Sequence, residues 1–245
     1  MSKLEITLKK IKPPLFLPAV QDFWRMRGLQ AVKSAPDQGA RGSATGGKQM
    51  SSLGLIFRKL AMEIGTPAAS IFLNSKLELP GFFRPTKRWD LLVVHQGKLL
   101  AALEMKSHIG PSFGNNANNR AEEALGSAED LWTAFREGAF GCGEPIPWLG
   151  FLVLLEDCKE VHCPVATPEP HFKVFHDFAN ASYAKRYELL LDRLVLERKY
   201  THTCLALTAR SATKQGASLK EPVAHLSLTA FASSFLRHIA VQLGG

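Results

Sequence analysis

Two apolar runs, Leu91-Leu92-Val93-Val94 and Leu99-Leu100-Ala101-Ala102-Leu103, flank the tripeptide Gln96-Gly97-Lys98. Short apolar runs joined by a short, glycine-containing connection read as an antiparallel pair of buried strands. The pattern predicts a strand from Trp89 to His95, a three-residue loop and a returning strand from Leu99 to Met105. Apolar positions at helical spacing predict helices from about Pro18 to Val32, from Ser51 to Ile64, and from Asn119 to Glu137, where Gly138 stops the last. Trp148 to Leu155 reads as another buried strand. Helix, hairpin, helix and strand in that order make an α/β domain built on a mixed sheet.

The whole chain, 1–245, reads as one domain. Its parts are an N-terminal helical region (1–65), a hairpin, helix and strand core (66–157) and a mixed C-terminal region (158–245). Within the first, residues 34–50 hold Gly39, Gly42, Gly46 and Gly47 beside Arg41 and Lys48, the composition of a mobile loop. With 46% apolar and 21% charged residues the chain is not intrinsically disordered. No apolar stretch is long enough to span a membrane. Lys9, Lys10, Lys12, Pro13 and Pro14 break up any secretory signal, and four cysteines form no disulfide framework. A reducing cytoplasm is the expected location. The net charge is +8, with the basic surplus before residue 104 and an acidic excess from 104 to 160. That asymmetry suits a polyanion held against a metal-binding centre, and equally a basic surface that keeps the protein soluble.

The chemistry-bearing residues lie at the ends of the hairpin. Asp90 opens the first strand and Glu104-Met105-Lys106 closes the second. Alternation puts Glu104 and Lys106 on one face and Met105 in the core. If Gln96-Gly97-Lys98 is the loop, His95 faces Leu99 and Asp90 lies opposite Glu104, with Cβ atoms about 5 Å apart. A two-residue loop shifts the register by one and separates the carboxylates. Two adjacent carboxylates need a cation, and oxygen ligands favour Mg²⁺. Asp90 and Glu104, with the backbone carbonyl of Met105, are the expected ligands, and Glu63 is a further acidic candidate. Lys106 is placed to act on water or phosphate. An Asp followed by Glu-x-Lys is the pattern of PD-(D/E)xK nucleases, although the same triplet also occurs as a salt-bridged strand end.

The surrounding sequence is more specific. The run Leu79-Pro80-Gly81-Phe82-Phe83-Arg84-Pro85-Thr86-Lys87-Arg88-Trp89-Asp90-Leu91-Leu92-Val93-Val94 closely resembles the XhoI family of type II restriction endonucleases. So does Glu104-Met105-Lys106-Ser107-His108-Ile109-Gly110-Pro111-Ser112-Phe113-Gly114-Asn115-Asn116, continued by Asn118-Asn119-Arg120-Ala121-Glu122-Glu123-Ala124. Asp130-Leu131-Trp132, the segment Phe135 to Phe140, and Thr45-Gly46-Gly47-Lys48-Gln49-Met50 extend the similarity, which covers about 40 to 155. Trp89 stands where this pattern often has proline. The resemblance implies a homodimeric, Mg²⁺-dependent enzyme that cuts the palindrome CTCGAG in double-stranded DNA and leaves 5′ overhangs. It also implies a cognate DNA methyltransferase that acts on the same site without binding the nuclease. The alternatives are a structure-selective repair nuclease or resolvase, and a DNA-binding protein of this fold that does not cleave.

Each half of CTCGAG presents two guanines and an adenine, best read by Arg or Lys and by Asn or Gln. Arg84, Lys87 and Arg88 before the catalytic strand, and Asn115, Asn116, Asn118, Asn119 and Arg120 after it, form the expected DNA surface with Arg41 and Lys48. Asn118 or Asn119 is also a candidate helix cap, completed by Glu122 or Glu123. Glu129 and Asp130 read as an exposed helix face. His108 is a candidate phosphate contact or a buried structural histidine. Cys158, His162 and Cys163 lack a second pair at zinc-finger spacing.

Overall fold

The computed structural model describes residues 1–33, 49–209 and 218–244. The glycine-rich segment expected as a mobile loop, with Arg41 and Lys48, lies outside them except for Gln49 and Met50. Among the described residues three α-helices come first: α1 (Lys3–Lys10), α2 (Leu17–Lys33) and α3 (Ser51–Glu63). They are followed by β1 (Ile71–Leu73), the ribbon β2 (Glu78–Pro80) and β3 (Thr86–Arg88), and the hairpin β4 (Leu91–His95) and β5 (Lys98–His108). Helix α4 (Phe113–Arg136), β6 (Trp148–Glu156), a single helical turn (Lys159–His162), α5 (Tyr183–Leu196), β7 (His202–Thr208) and α6 (Leu228–Gln242) follow among the described residues.

Five strands form one mixed sheet in the order β1-β4-β5-β6-β7. The first three are antiparallel neighbours, whereas β5, β6 and β7 run parallel. Helices cover both faces, as the buried runs require. On one face Phe16, Phe23, Phe57, Phe231 and Phe235, from α1–α3 and α6 and their flanking segments, pack on Leu91, Val93, Leu103, Met105 and Leu152. On the other, Ala124, Ala128 and Leu131 of α4 and Tyr187 and Leu191 of α5 pack on Leu92, Ala102, Phe151 and Val153. Every residue of β6 is buried, between its parallel neighbours β5 and β7. Among the described residues no helix is long and apolar enough to cross a membrane.

The hairpin departs from the expected loop in an instructive way. His95 pairs with Lys98, so the connection is the two residues Gln96-Gly97. Both have positive φ (51° and 79°), as the tight type I′ turn demands. Taken alone, this turn would set the register that separates the carboxylates. A bulge restores it: Val94 pairs with Leu99 but Val93 pairs with Ala101, and Leu100 is the extra residue. Leu100 and Ala101 consequently enter the same core. Beyond the bulge Leu91 faces Leu103, which brings Asp90 opposite Glu104.

Two further expectations are corrected. Helix α4 begins at Phe113, six residues before the expected start, with Ser112 at its N-cap. Asn118 and Asn119 are therefore inside the helix and cap nothing. Asp130 is buried, at 3% exposure, not on an exposed face. Gly138, with φ 80°, ends α4 as expected.

The aromatic cluster of the first core ties the C-terminal helix to the sheet. Phe235 packs edge-on against Phe57 (5.8 Å) and Trp148 (5.2 Å) and is fully buried. Phe235→Ala is expected to lower unfolding free energy by about 3–5 kcal/mol in urea titration. A loss under about 1 kcal/mol would show that this helix contributes little to the core.

Candidate active site

Three pieces of chain converge on one face of β5. Asp90 lies just before β4. Its amide donates to the Leu103 carbonyl (3.1 Å), and its Oδ2 accepts from the Met105 amide (2.7 Å). Alternation sends Met105 into the first core and leaves Glu104, Lys106 and His108 on the α4–α5 face. Glu104 is buried, at 5% exposure. Its Oε1 accepts from Lys106 Nζ at 2.6 Å, and its Oε2 from Lys87 Nζ at 2.8 Å. Lys106 also reaches Glu123 of α4 at 3.5 Å, and Arg120 pairs with the same Glu123 oxygen. The sequence Arg120, Glu123, Lys106, Glu104, Lys87 thus alternates in sign across the site.

Electrostatics follow from this crowding. Burial, then the neighbouring Glu104 charge, pushes the Asp90 carboxyl up to about 6, against the Met105 hydrogen bond and the two lysines. Burial works to lower the Lys106 ammonium, but Glu104, Glu123 and Asp90 outweigh it and raise it. His108 is buried, and desolvation brings it down to about 4. Its Nδ1 meets the Tyr187 hydroxyl at 2.6 Å, a contact that fastens β5 to α5.

The ribbon β2–β3 is held over the site by Asp130. That carboxylate accepts from the amides of Phe82 (2.8 Å) and Phe83 (2.9 Å) and from Arg84 Nε (2.6 Å). Gly81 permits the approach, because a Cβ there would stand 2.7 Å from Asp130 Oδ2. Burial would raise Asp130, but these three bonds win and lower it. Phe82 and Phe83 remain exposed at the ribbon tip.

The structure brings Asp90, Glu104, Lys106 and Lys87 together. It leaves Glu63 elsewhere, paired with Lys10 at 3.3 Å at the end of α3, a helix of the opposite core. Arg84 is tied to Asp130, and Arg88 to Glu78 (2.7 Å) and the Asn74 carbonyl (2.8 Å). Asn115, Asn116, Asn118, Asn119 and Arg120 occupy the first two turns of α4. Asn118 also lines a cavity of about 670 Å³ between α4, α5 and the segment before α5, which none of Asp90, Glu104 and Lys106 lines. His162 bonds Asp157 at 2.7 Å.

Sequence reading missed three contributions: the pairing of Lys87 with Glu104, Glu123 beside Lys106, and Asp130 beneath the ribbon. Two of them left signals. Lys87 lies two residues before buried Trp89, hence on the same side of an extended segment. Asp130 falls at helical spacing with Ser127, Leu131 and Ala134, all buried.

A family model, Restriction endonuclease XhoI, matches residues 29–219, which contain every residue of this centre. The chain belongs to the XhoI restriction endonuclease family. The type II restriction enzyme BstVI of Geobacillus stearothermophilus is 50% identical over 214 residues, covering 85% of this chain and 95% of BstVI. The type II restriction enzyme XhoI of Xanthomonas vasicola is 45% identical over 182 residues, 73% of each chain. The type II restriction enzyme AbrI of Azospirillum brasilense is 46% identical over 160 residues, 63% of this chain and 71% of AbrI. No solved structure matches the chain. The mixed sheet with helices on both faces suits a restriction endonuclease, and family membership makes the protein a nuclease.

The raised Asp90 carboxyl has a consequence for stability. The folded chain holds a proton there between the unfolded value of 3.8 and about 6, so folding loses stability as pH rises through that window. In metal-free buffer at pH 7.5, Asp90→Asn is expected to be more stable than wild type by about 2–3 kcal/mol. Its thermal unfolding should also lack the decline between pH 4 and 6. Equal pH dependence in the two proteins would contradict this.

Proposed function

We propose that this member of the family cuts both strands of DNA at CTCGAG and leaves 5′ overhangs, with Mg²⁺ as its cofactor. The observation that carries the reading is the convergence of Asp90, Glu104 and Lys106 on one face of β5. The donor set fits the ion. Asp90 and Glu104 face each other across the β4–β5 pairing, both ligands are oxygen, and Lys106 stands beside Glu104. Asp90, Glu104 and the Met105 carbonyl would hold the metal, which when bound polarises the scissile phosphate and acidifies water.

The chain's own groups do the rest. Lys106 is held by Glu104 and Glu123, so its ammonium is oriented without being neutralised by a single partner. From there it positions the attacking water and offsets the charge that gathers on the phosphate. Helix α4 carries Asn115, Asn116, Asn118, Asn119 and Arg120 directly after β5, and these are our candidates for reading adenine and guanine. Arg84, Lys87, Arg88, Arg41 and Lys48 are candidates for phosphate contact. A palindrome offers two equal half-sites, so a two-fold homodimer with one centre per strand is the matching assembly. A methyltransferase of the same specificity protects the host DNA in this reading, in the cytoplasm.

Digestion of a plasmid of known sequence in Mg²⁺, followed by end sequencing, tests the proposal. Discrete fragments beginning 5′-TCGA are expected. A random smear, or cleavage confined to branched junctions, would overturn it, the latter in favour of a repair nuclease.

A further inference from the structure

Glu104 has two carboxylate oxygens, and both are taken. Lys106 holds Oε1, and its part in the chemistry is given above. Lys87 holds Oε2, and phosphate contact does not explain why. This is not a free surface lysine. Its side chain is 11% exposed, its Nζ lies 4.4 Å from the centroid of the Trp89 ring, and it also donates to the Arg88 carbonyl at 3.1 Å. The ribbon that carries it is fastened by Asp130 and closed at Gly81. Several contacts therefore deliver one ammonium to one carboxylate oxygen.

An ammonium and a divalent cation repel each other and compete for the same lone pairs. The two lysines differ in what they can do about it. Lys106 has Glu123 as a second carboxylate. Among the described residues, Glu104 is the one carboxylate paired with Lys87. Displacing Lys87 therefore strands its charge unless another anion is supplied. DNA supplies such anions as phosphates.

We propose that Lys87 is a built-in counter-cation of the centre, competing with the divalent ion for Oε2 of Glu104 and releasing it when a DNA phosphate takes its ammonium. The proposal rests on Asp90 and Glu104 being the metal site. It makes metal uptake and DNA binding reciprocally coupled. Off DNA the centre stays neutralised by lysine, and on DNA it opens to the metal.

The test counts bound Mn²⁺ by electron paramagnetic resonance on the full chain at pH 8, alone and with a duplex lacking CTCGAG. Lys87→Met keeps most of the buried stem and Lys87→Gln keeps a donor, yet both remove the charge. Each folded variant is expected to bind Mn²⁺ about tenfold more tightly than wild type without DNA, and to gain less from the duplex. Unchanged or weaker Mn²⁺ binding in both variants would overturn the role of Lys87. Adding Asp90→Asn should abolish the tightened binding. If tight binding survives Asp90→Asn, the metal lies elsewhere, and the site reading fails rather than the competition alone.

Discussion

A buried carboxylate clasped by two ammonium groups is the interaction on which the rest of this centre depends. Glu104 has almost no solvent to stabilise its charge, so Lys87 and Lys106 must do so. Removing one partner from a buried pair of this kind typically costs about 3–5 kcal/mol, because the remaining charge is left uncompensated. The two lysines come from different parts of the fold. Lys106 follows Glu104 on the same strand, whereas Lys87 arrives on a separate ribbon pinned to α4 through Asp130. Sheet, ribbon and helix must therefore all be in place before the charge is balanced. The charge balance is built into the tertiary structure rather than into one strand.

The bulge at Leu100 has similar weight. The tight Gln96-Gly97 turn and the Asp90–Glu104 pairing are incompatible in a regular hairpin, since their registers differ by one residue. One extra residue reconciles them. The chain keeps an efficient turn and still lays both carboxylates together, at the expense of one irregular pairing in a strand buried on both faces.

These features mark how far the sequence could be read. The hairpin, α3, β6 and the alternation around Met105 were legible because buried runs and helical spacing leave clear periods. The Asp90–Glu104 juxtaposition was inferred from a three-residue loop that does not exist, and survives only because the bulge compensates. A bulge leaves no period of its own, so local pattern cannot find it. The early start of α4 was hidden by the asparagines, which favour turns and caps in short-range reasoning but here continue a helix begun at Phe113. Lys87 reads as part of the DNA surface and Asp130 as part of an exposed helix face, because spacing with buried neighbours is a weak signal beside a formal charge. Their burial depends on partners 17 and 46–48 residues away in sequence.

The central claim is that Asp90, Glu104 and Lys106 form the cleavage centre. Single-turnover cleavage of supercoiled plasmid by Lys106→Ala, with duplex binding in Ca²⁺ measured alongside, tests it most directly. The account predicts DNA binding within a few-fold of wild type and cleavage slower by about 10²–10⁴. Cleavage within tenfold of wild type by a fully folded Lys106→Ala protein would contradict it and move the centre elsewhere in the chain.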